Sequence, residues 1–312
     1  MQRLFILDTG VSLPDRLGSI QSCLTDGNDL RTVIKGLEHN PDGITIDHQA
    51  GRIYWTNMGS SLVENNGSIE SAKLDGSDRK IVVPKGTIGV HTPKQITYAA
   101  KSRTLYWCDR EGMKVMRCGF DGSDVEVLVS TGSTEEDRND LLKHCVGIAV
   151  DESQGYFYWS QKGPSKGNQG QIFRSRIGKT MTTSNPEERC REMVLDNLPE
   201  PIDLEVDEKG QSLFWTDRGD PPKGNTLNRF ALGDVATIIT RRAAPDILAR
   251  HLHEAIGLSI DHTGKKAYVT DLAGGVYAIN LETKEKNVLF QELGDLTGVA
   301  LCKDSDNMSA KI

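Results

Sequence analysis

The feature that most constrains this chain is a repeated four-residue motif. It begins with an aromatic residue, and in most copies Trp, a small polar residue and Asp or Asn follow in that order. The aromatic position recurs six times, 49 to 56 residues apart, at Phe5, Tyr54, Tyr106, Tyr158, Phe214 and Tyr268. Around each copy, short alternating apolar runs are separated by turn residues, the pattern of antiparallel strands joined by tight hairpins. Four short strands in a period of this length are typical of a propeller blade. The sequence therefore predicts an all-β, six-bladed β-propeller with four-stranded antiparallel blades.

The two ends of the sequence predict how the ring closes. Residues 4–8 read as the second strand of a blade and have no inner strand before them, whereas residues 296–301 read as an inner strand with no blade of their own. We expect both segments to share blade 1, because this arrangement closes the ring and protects the sheet edges. Six motifs account for the length, so residues 1–312 are predicted to form one domain. Helix is expected only as a turn or two within residues 135–143 and 245–253.

Composition and charge exclude several classes of function. The chain has 37 Lys and Arg against 44 Asp and Glu and no long basic run, so we predict no nucleic-acid partner. No stretch approaches the ~20 consecutive apolar residues of a membrane helix. The sequence contains neither the Gly-rich motif of dinucleotide-dependent redox enzymes nor the Gly-x-Ser-x-Gly motif of acyl-enzyme hydrolases, so we do not predict either chemistry. We expect a cytoplasmic protein if Met1 is the native start, and a secreted or vesicular one if a leader has been removed.

Two stretches of blade 2 carry a resemblance to a known family. Residues 41–47 (PDGITID) followed by residues 53–57 (IYWTN) resemble the YWTD β-propeller of the low-density-lipoprotein receptor family, and the likeness extends over essentially the whole chain. The pattern departs in blades 1 and 6, where no Trp follows Phe5 or Tyr268. The resemblance implies that the motif residues are mainly structural. It also suggests a stand-alone, enzyme-like member of the kind found in fungi, since the cysteine-rich modules beside receptor propellers are absent.

Histidines at equivalent repeat positions are the first candidates for function. In a propeller, the loops that lead into the inner strands emerge on one face, around the mouth of the central channel. His39, His91 and His253 occupy the same position in three of these loops, and His144 lies one position later in a fourth. Because rotation brings equivalent positions around one axis, we predict that these four line one cavity and act as catalytic groups. The simpler alternative is that they cap loops, and we favour either reading over a metal triad.

Polar residues in the same loops and at the start of the inner strands are predicted to bind substrate. They are Asp42, Lys94, Gln95, Glu200, Asp203, Glu254, Asp295 and Thr297. No residue is predicted as a metal ligand and no cofactor is predicted. The resembling calcium-dependent lactonase propellers hold a divalent ion with Glu, Asn and Asp, but their motif cannot be matched position by position to this chain.

Three hypotheses for function follow. The first is a non-redox enzyme of secondary metabolism that performs cyclisation, condensation or lyase chemistry on a small organic molecule bound at the top of the channel. The second is a protein-binding module that uses the same face, as the resembling receptor propellers do. The third is a metal-dependent lactone hydrolase. A deep apolar pocket with a few polar groups would favour an enzyme, and a flat face with exposed aromatic residues would favour a protein partner.

Overall fold

The computed structural model describes residues 2–12, 16–178, 185–207, 211–232 and 244–303. In these residues, 24 strands form six antiparallel four-stranded sheets. The innermost strand of each sheet lies beside the innermost strands of the two neighbouring sheets, so the sheets are the blades of a ring. The predicted all-β, six-bladed propeller is confirmed.

In blades 1 to 3 the strands follow one another from the axis outwards. Blade 1 contains β24 (Leu296–Cys302), β1 (Arg3–Asp8), β2 (Gly18–Leu24) and β3 (Arg31–Leu37). Blade 2 contains β4 (Pro41–Asp47), β5 (Arg52–Asn57), β6 (Ser68–Lys73) and β7 (Lys80–Val83). Blade 3 contains β8 (Pro93–Ala99), β9 (Thr104–Asp109), β10 (Lys114–Gly119) and β11 (Glu126–Ser130).

Blades 4 to 6 have the same order. Blade 4 contains β12 (Cys145–Asp151), β13 (Tyr156–Gln161), β14 (Gly170–Arg176) and β15 (Glu192–Leu198). Blade 5 contains β16 (Pro201–Asp207), β17 (Ser212–Asp217), β18 (Thr226–Ala231) and β19 (Asp246–Ala249). Blade 6 contains β20 (Ala255–Asp261), β21 (Lys266–Asp271), β22 (Val276–Asn280) and β23 (Lys286–Phe290).

The ring closes through its two terminal strands. β24 pairs antiparallel with β1, with Leu301 opposite Leu4 and Ala300 opposite Phe5. This confirms the arrangement expected from the chain ends. The pairing satisfies the inner edge of β1, which would otherwise be open to water or to another chain.

The aromatic and Trp positions of the motif form the packing between blades. Successive side chains of a strand point to opposite faces, so Tyr54 packs towards blade 3 and Trp55 towards blade 1. The ring of Tyr54 stacks on Tyr98 of blade 3 at a centroid distance of 6.2 Å. Each aromatic side chain buried in this way contributes roughly 2–3 kcal/mol to folding. The motif is repeated because every blade must bury both of its faces.

The hydroxyl position of the motif ties neighbouring inner strands together. Thr56 Oγ1 accepts a hydrogen bond from Gly43 N at 2.9 Å and donates to the Lys94 carbonyl of the next blade at 2.7 Å. Thr216 makes the same bridge between Asp203 N and the Ile256 carbonyl, at 3.1 and 2.7 Å. Gly43 and Asp203 lie where the pairing of the inner strand with the next strand of its blade is interrupted, so the threonine hydroxyl satisfies a backbone group that the sheet leaves without a partner.

Of the two segments in which a short helix is expected, one is helical. Residues 135–143 contain α1 (Glu135–Arg138), capped by Thr134, and a 3₁₀ turn at Leu141–Lys143. The expectation for residues 245–253 is wrong, because this segment contains β19, whose Ile247 pairs with Asn228 of β18. The fourth strand is needed there to satisfy the outer edge of β18. Within the described residues, no helix is long and apolar enough to cross a membrane.

Candidate functional site

The loops that lead into the inner strands lie at one end of the channel. The residues that follow the second strand of each blade, which carries the motif and is called the motif strand, lie at the same end. Backbone hydrogen bonds hold the two together, from Arg110 N to the Thr92 carbonyl at 3.1 Å and from Arg218 N to the Glu200 carbonyl at 2.9 Å. We call this end the loop face. It is the face on which the sequence predicts the site.

The four histidines lie in the predicted loops but have different surroundings. His91 Nε2 lies 2.8 Å from the Leu62 carbonyl, and His144 Nε2 lies 2.8 Å from the Arg138 carbonyl. The side chains of His39 and His253 are 50% and 70% exposed. His39 borders a rim cavity of about 360 Å³ that the other three do not border. Two of the rings therefore hold loops and two face solvent, and a shared catalytic role stays a prediction.

A group of basic side chains forms the centre of the loop face. Arg110, Lys162 and Arg218 occupy the same repeat position, directly after the motif strand, in the consecutive blades 3, 4 and 5. The charges of Arg110 and Arg218 lower the pKa of both Lys94 and Lys162, so the four side chains lie close together. We call Lys94, Arg110, Lys162 and Arg218 the basic cluster. Sequence analysis identified only Lys94, although the shared repeat position of the other three was a readable signal.

Three buried acidic side chains face the basic cluster. Asp42 is hydrogen-bonded to Lys94 Nζ and accepts from Gln95 Nε2 at 3.1 Å. Glu200 accepts from Lys162 Nζ at 3.1 Å and from Arg218 at 2.7 Å. Arg110 contacts the neighbouring Glu111 at 2.7 Å, and Arg218 lies 3.9 Å from Glu254, so each cation of the cluster has an acidic partner. The mouth of the channel is therefore a dense network of ion pairs.

Burial changes the proton affinity of this group. It lowers the pKa of Lys94 and Lys162, although Asp42 and Glu200 partly oppose the effect. Burial by itself would raise the pKa of Glu200. The positive charges of Arg218 and Lys162 outweigh burial, so the pKa of Glu200 lies below its ordinary value. The pKa of His144 is lowered by burial as well. A lysine whose pKa is lowered gives up its proton more easily than an ordinary lysine.

Two other predicted substrate-binding residues, both in inner strands, bond to a neighbouring blade. Asp203 accepts a hydrogen bond from Leu258 N at 3.0 Å, and burial raises its pKa well above the ordinary value. Thr297 Oγ1 donates to the Pro41 carbonyl at 3.2 Å. Both side chains bond to the backbone of the next blade, so they help to join inner strands.

The remaining two lie at the rim. Asp295 accepts hydrogen bonds from Ser12 N and Oγ at 3.0 and 2.8 Å, which holds the loop after β1. Glu254 is exposed, and its carboxylate lies 3.9 Å from Arg218. The structure thus brings Asp42, Lys94, Gln95 and Glu200 to the basic cluster, places Glu254 at its edge and leaves Asp295 in blade 1.

An axial cavity of about 400 Å³ occupies the opposite half of the channel. The inner strands of all six blades line it, and it extends to His48 and His262 at the end away from the loop face. Asp203 is the predicted site residue that borders it. His262 lies 3.6 Å from both Glu205 and Asp207, and these carboxylates outweigh burial and raise its pKa. Among the described residues, no group of three or more His, Cys, Asp or Glu could hold a metal ion.

Comparisons of sequence find fungal relatives of this chain. No protein-family model matches it. It is 55% identical over 305 residues to the low-density lipoprotein receptor-related protein 1 of Pyricularia oryzae, covering 96% of this chain and 97% of that protein. It is 40% identical over 309 residues to the 3-hydroxyacyl-CoA dehydrogenase-like protein LAM1 of Cochliobolus heterostrophus, covering 96% of this chain but 64% of LAM1.

Solved structures support the same fold. A chain from the nidogen–laminin complex superposes with a TM-score of 0.73 at 18% identity, covering 97% of this chain and 99% of that one. A gluconolactonase from Xanthomonas campestris superposes with a TM-score of 0.55 at 15% identity, covering 81% of this chain and 75% of that one. With a 55% identical relative matched over nearly its whole length, this chain belongs to the family of low-density-lipoprotein-receptor-related YWTD β-propellers.

Proposed function

We propose that this propeller binds a small organic molecule bearing a carboxylate or phosphate at the loop face, and that Lys162 exchanges a proton with it. The observation that carries the proposal is the basic cluster. Three of its four members come from one repeat position in three neighbouring blades, so rotation about the axis turns them towards a common point. A concentrated set of partly buried cations is a typical binding site for an anionic group.

The cluster is confined to one side of the channel. Blades 1, 2 and 6 carry Thr9, Met58 and Leu272 at the same repeat position. An anionic group would therefore bind off the axis, against blades 3 to 5, and the rest of the molecule would lie over the less charged blades. This asymmetry suits a molecule with one charged end.

The proton chemistry rests on Lys162 and its partner. The amine lies 3.1 Å from Glu200 and 3.3 Å from the Gly163 carbonyl. Cyclisation, condensation and lyase reactions each need a proton to be removed from carbon or oxygen and then returned, and a lysine with a lowered pKa can perform both steps. The name of LAM1 refers to acyl-CoA substrates, and the phosphates of coenzyme A match the charge of the cluster.

Calorimetric titration with simple anions tests the proposal. The probes are inorganic phosphate, succinate and coenzyme A, with neutral succinamide as the matched control. We expect the anions to bind, and Lys162→Met and Arg218→Gln each to weaken binding by about tenfold or more, the loss of one charge-assisted hydrogen bond. Lys265→Met is the control variant, because Lys265 is exposed and pairs with Glu282 on the other face. Equal binding of succinamide, or no loss in either cluster variant, would contradict the proposal.

A protein partner is the second candidate, and a separate observation favours it. Seven exposed aliphatic residues lie in loops of the loop face, namely Val11, Leu17, Leu62, Val63, Ile88, Leu141 and Leu142. Exposed apolar groups around a charged centre are typical of protein-binding surfaces. The nidogen neighbour comes from a complex with laminin. Selection of binding peptides from a displayed library tests this candidate. The double variant Leu62→Ser, Val63→Ser should no longer bind the selected peptides and should bind succinate as the wild type does.

A further inference from the structure

Blade 6 carries a tyrosine where the other blades have none. Its motif strand has Val269 in place of Trp, and Tyr277 of β22 lies directly opposite Val269. The residues at this position of the third strand in blades 1 to 5 are Gln21, Glu70, Met116, Phe173 and Asn228. The hydroxyl of Tyr277 is therefore not a requirement of the repeat.

This hydroxyl is bonded to the last residue of the motif strand. It donates to Asp271 Oδ2 at 2.8 Å, and both side chains are buried. Gly275 leaves room for it, because a Cβ atom there would lie 2.3 Å from the hydroxyl oxygen. Burial and then the hydrogen bond to Asp271 raise the pKa of Tyr277, so the phenol keeps its proton and remains a donor to the carboxylate.

The ring of His253 lies beside this pair. Its Nδ1 is 3.5 Å from the hydroxyl oxygen of Tyr277 and 3.8 Å from Asp271 Oδ2. The hydroxyl already donates its one hydrogen to Asp271, and an ionised carboxylate has none to donate, so both neighbours can only accept from Nδ1. A neutral imidazole carries hydrogen on one nitrogen and a lone pair on the other. The pair therefore places the hydrogen of neutral His253 on Nδ1 and the lone pair on Nε2.

The equivalent histidine of blade 3 shows what Tyr277 changes. Met116 takes the place of Tyr277 there and offers no hydroxyl. The ring of His91 is buried, and its Nε2 contacts the Leu62 carbonyl. The side chain of His253 is exposed instead, and within the described residues its Nε2 makes no hydrogen bond. The nitrogen that holds the lone pair is thus open to a ligand on the loop face.

His253 also lies at the edge of the basic cluster. The carboxylate of the next residue, Glu254, is 3.9 Å from Arg218, and Arg218 shares Glu200 with Lys162. Because blade 5 lies between blades 4 and 6, an anion bound by Arg218 has the amine of Lys162 on one side and the imidazole of His253 on the other. A reaction that removes a proton at one atom and adds one at another needs two such groups.

We propose that Tyr277 is a positioning residue which, with Asp271, orients His253 so that its Nε2 accepts a proton from the molecule bound at the basic cluster. The proton lost by the molecule goes to Nε2, and the ammonium of Lys162 supplies the proton that the molecule takes up at another atom. The proton transfer rests on the function proposed above, because it needs that molecule. The orientation of the ring does not.

Nuclear magnetic resonance of the imidazole nitrogens tests the orientation without any ligand. At about pH 9, where an ordinary imidazole is neutral, nitrogen chemical shifts report which nitrogen carries the hydrogen. The signals of His253, assigned by their loss in His253→Gln, should be those of the Nδ1–H form. Tyr277→Phe should shift the ratio of the two forms about three- to tenfold towards Nε2–H, the effect of losing one hydrogen bond.

Tyr268→Phe is the matched control. It removes another buried hydroxyl of blade 6, on the side that packs against blade 1, and should leave the signals of His253 unchanged. An Nε2–H ring in the wild-type protein, or an unchanged ratio in Tyr277→Phe, would overturn the proposal. If Tyr277→Phe fails to fold, the form found in the wild-type protein decides the outcome.

Protection from diethyl pyrocarbonate tests the contact between His253 and the bound molecule. This reagent acylates an exposed imidazole nitrogen that holds a lone pair, and mass spectrometry identifies the modified residue. Succinate at ten times its Kd should slow the modification of His253 about tenfold and leave that of His39 unchanged. If calorimetry shows that succinate binds but His253 is modified at its full rate, the proton transfer to His253 is refuted while the proposed function stands. If succinate does not bind, the proposed function fails, and the form of the ring still decides the role of Tyr277.

Discussion

Asp217→Asn should make the protein more resistant to alkaline conditions. Asp217 is buried between blades 4 and 5, and its Oδ1 accepts two backbone hydrogen bonds, from Glu200 and Gly219. Burial raises the pKa of this carboxyl from 3.8 to about 7, and the two backbone donors oppose the shift only in part. Asn keeps the accepting oxygen and never carries a charge. The substitution therefore removes the cost of ionisation while preserving the contacts that hold the loop before β16.

The magnitude follows from the difference in pKa between the folded and unfolded states. Between pH 3.8 and about 7 the folded protein keeps the proton on Asp217, whereas the unfolded chain releases it. The wild-type protein therefore loses stability as the pH rises through this window, by about 1.4 kcal/mol per pH unit and about 4 kcal/mol in total. Above the window, both states are ionised and the loss stays constant. The Asn variant lacks this loss.

Urea denaturation across the window measures the effect. The free energy of unfolding of the variant minus that of the wild type should rise between about pH 5 and about pH 7 and level off above about pH 8. Asp75→Asn is the control, because hydrogen bonds from Ser77 lower the pKa of Asp75, so this carboxyl is ionised in both states throughout the window and its removal should give a difference that does not change with pH. A difference between wild type and Asp217→Asn that is the same at every pH would refute the reasoning.

Three further predictions concern the fold. Thr216→Val should lower the free energy of unfolding by about 1–3 kcal/mol, because it leaves two backbone groups between blades 5 and 6 without a partner, whereas Thr216→Ser should retain most of the stability in urea denaturation. Gly43→Ala should lower the melting temperature, since its Cβ would lie 2.6 Å from the Lys94 carbonyl oxygen, and Gly178→Ala, with nothing within 4 Å, should not. A chain ending at residue 294 lacks β24 and should give no cooperative unfolding transition, because β1 then has an open edge and blade 1 is incomplete; a normal transition would contradict the role of β24 in closing the ring.

The sequence by itself determined the class of fold, the number of blades and the closure of the ring. These features depend on the spacing of the motif and on the alternation of apolar residues, which are local patterns repeated six times. The packing role of Tyr54 and Trp55 follows from the same alternation, because a strand must point successive side chains to opposite faces. Where the pattern was weak, as in residues 245–253, the prediction of helix was wrong, since the need to complete blade 5 outweighed local preference.

The tertiary structure decided which polar groups meet. His39 and His91 share a repeat position, but His39 has a left-handed backbone with φ of 70° and faces solvent, whereas His91 is buried against the loop of Leu62. Strand register does not extend into loops, because loop conformation depends on length, glycine content and neighbouring blades. The convergence of Arg110, Lys162 and Arg218 likewise depends on contacts between blades. Those contacts exist only once the ring has closed.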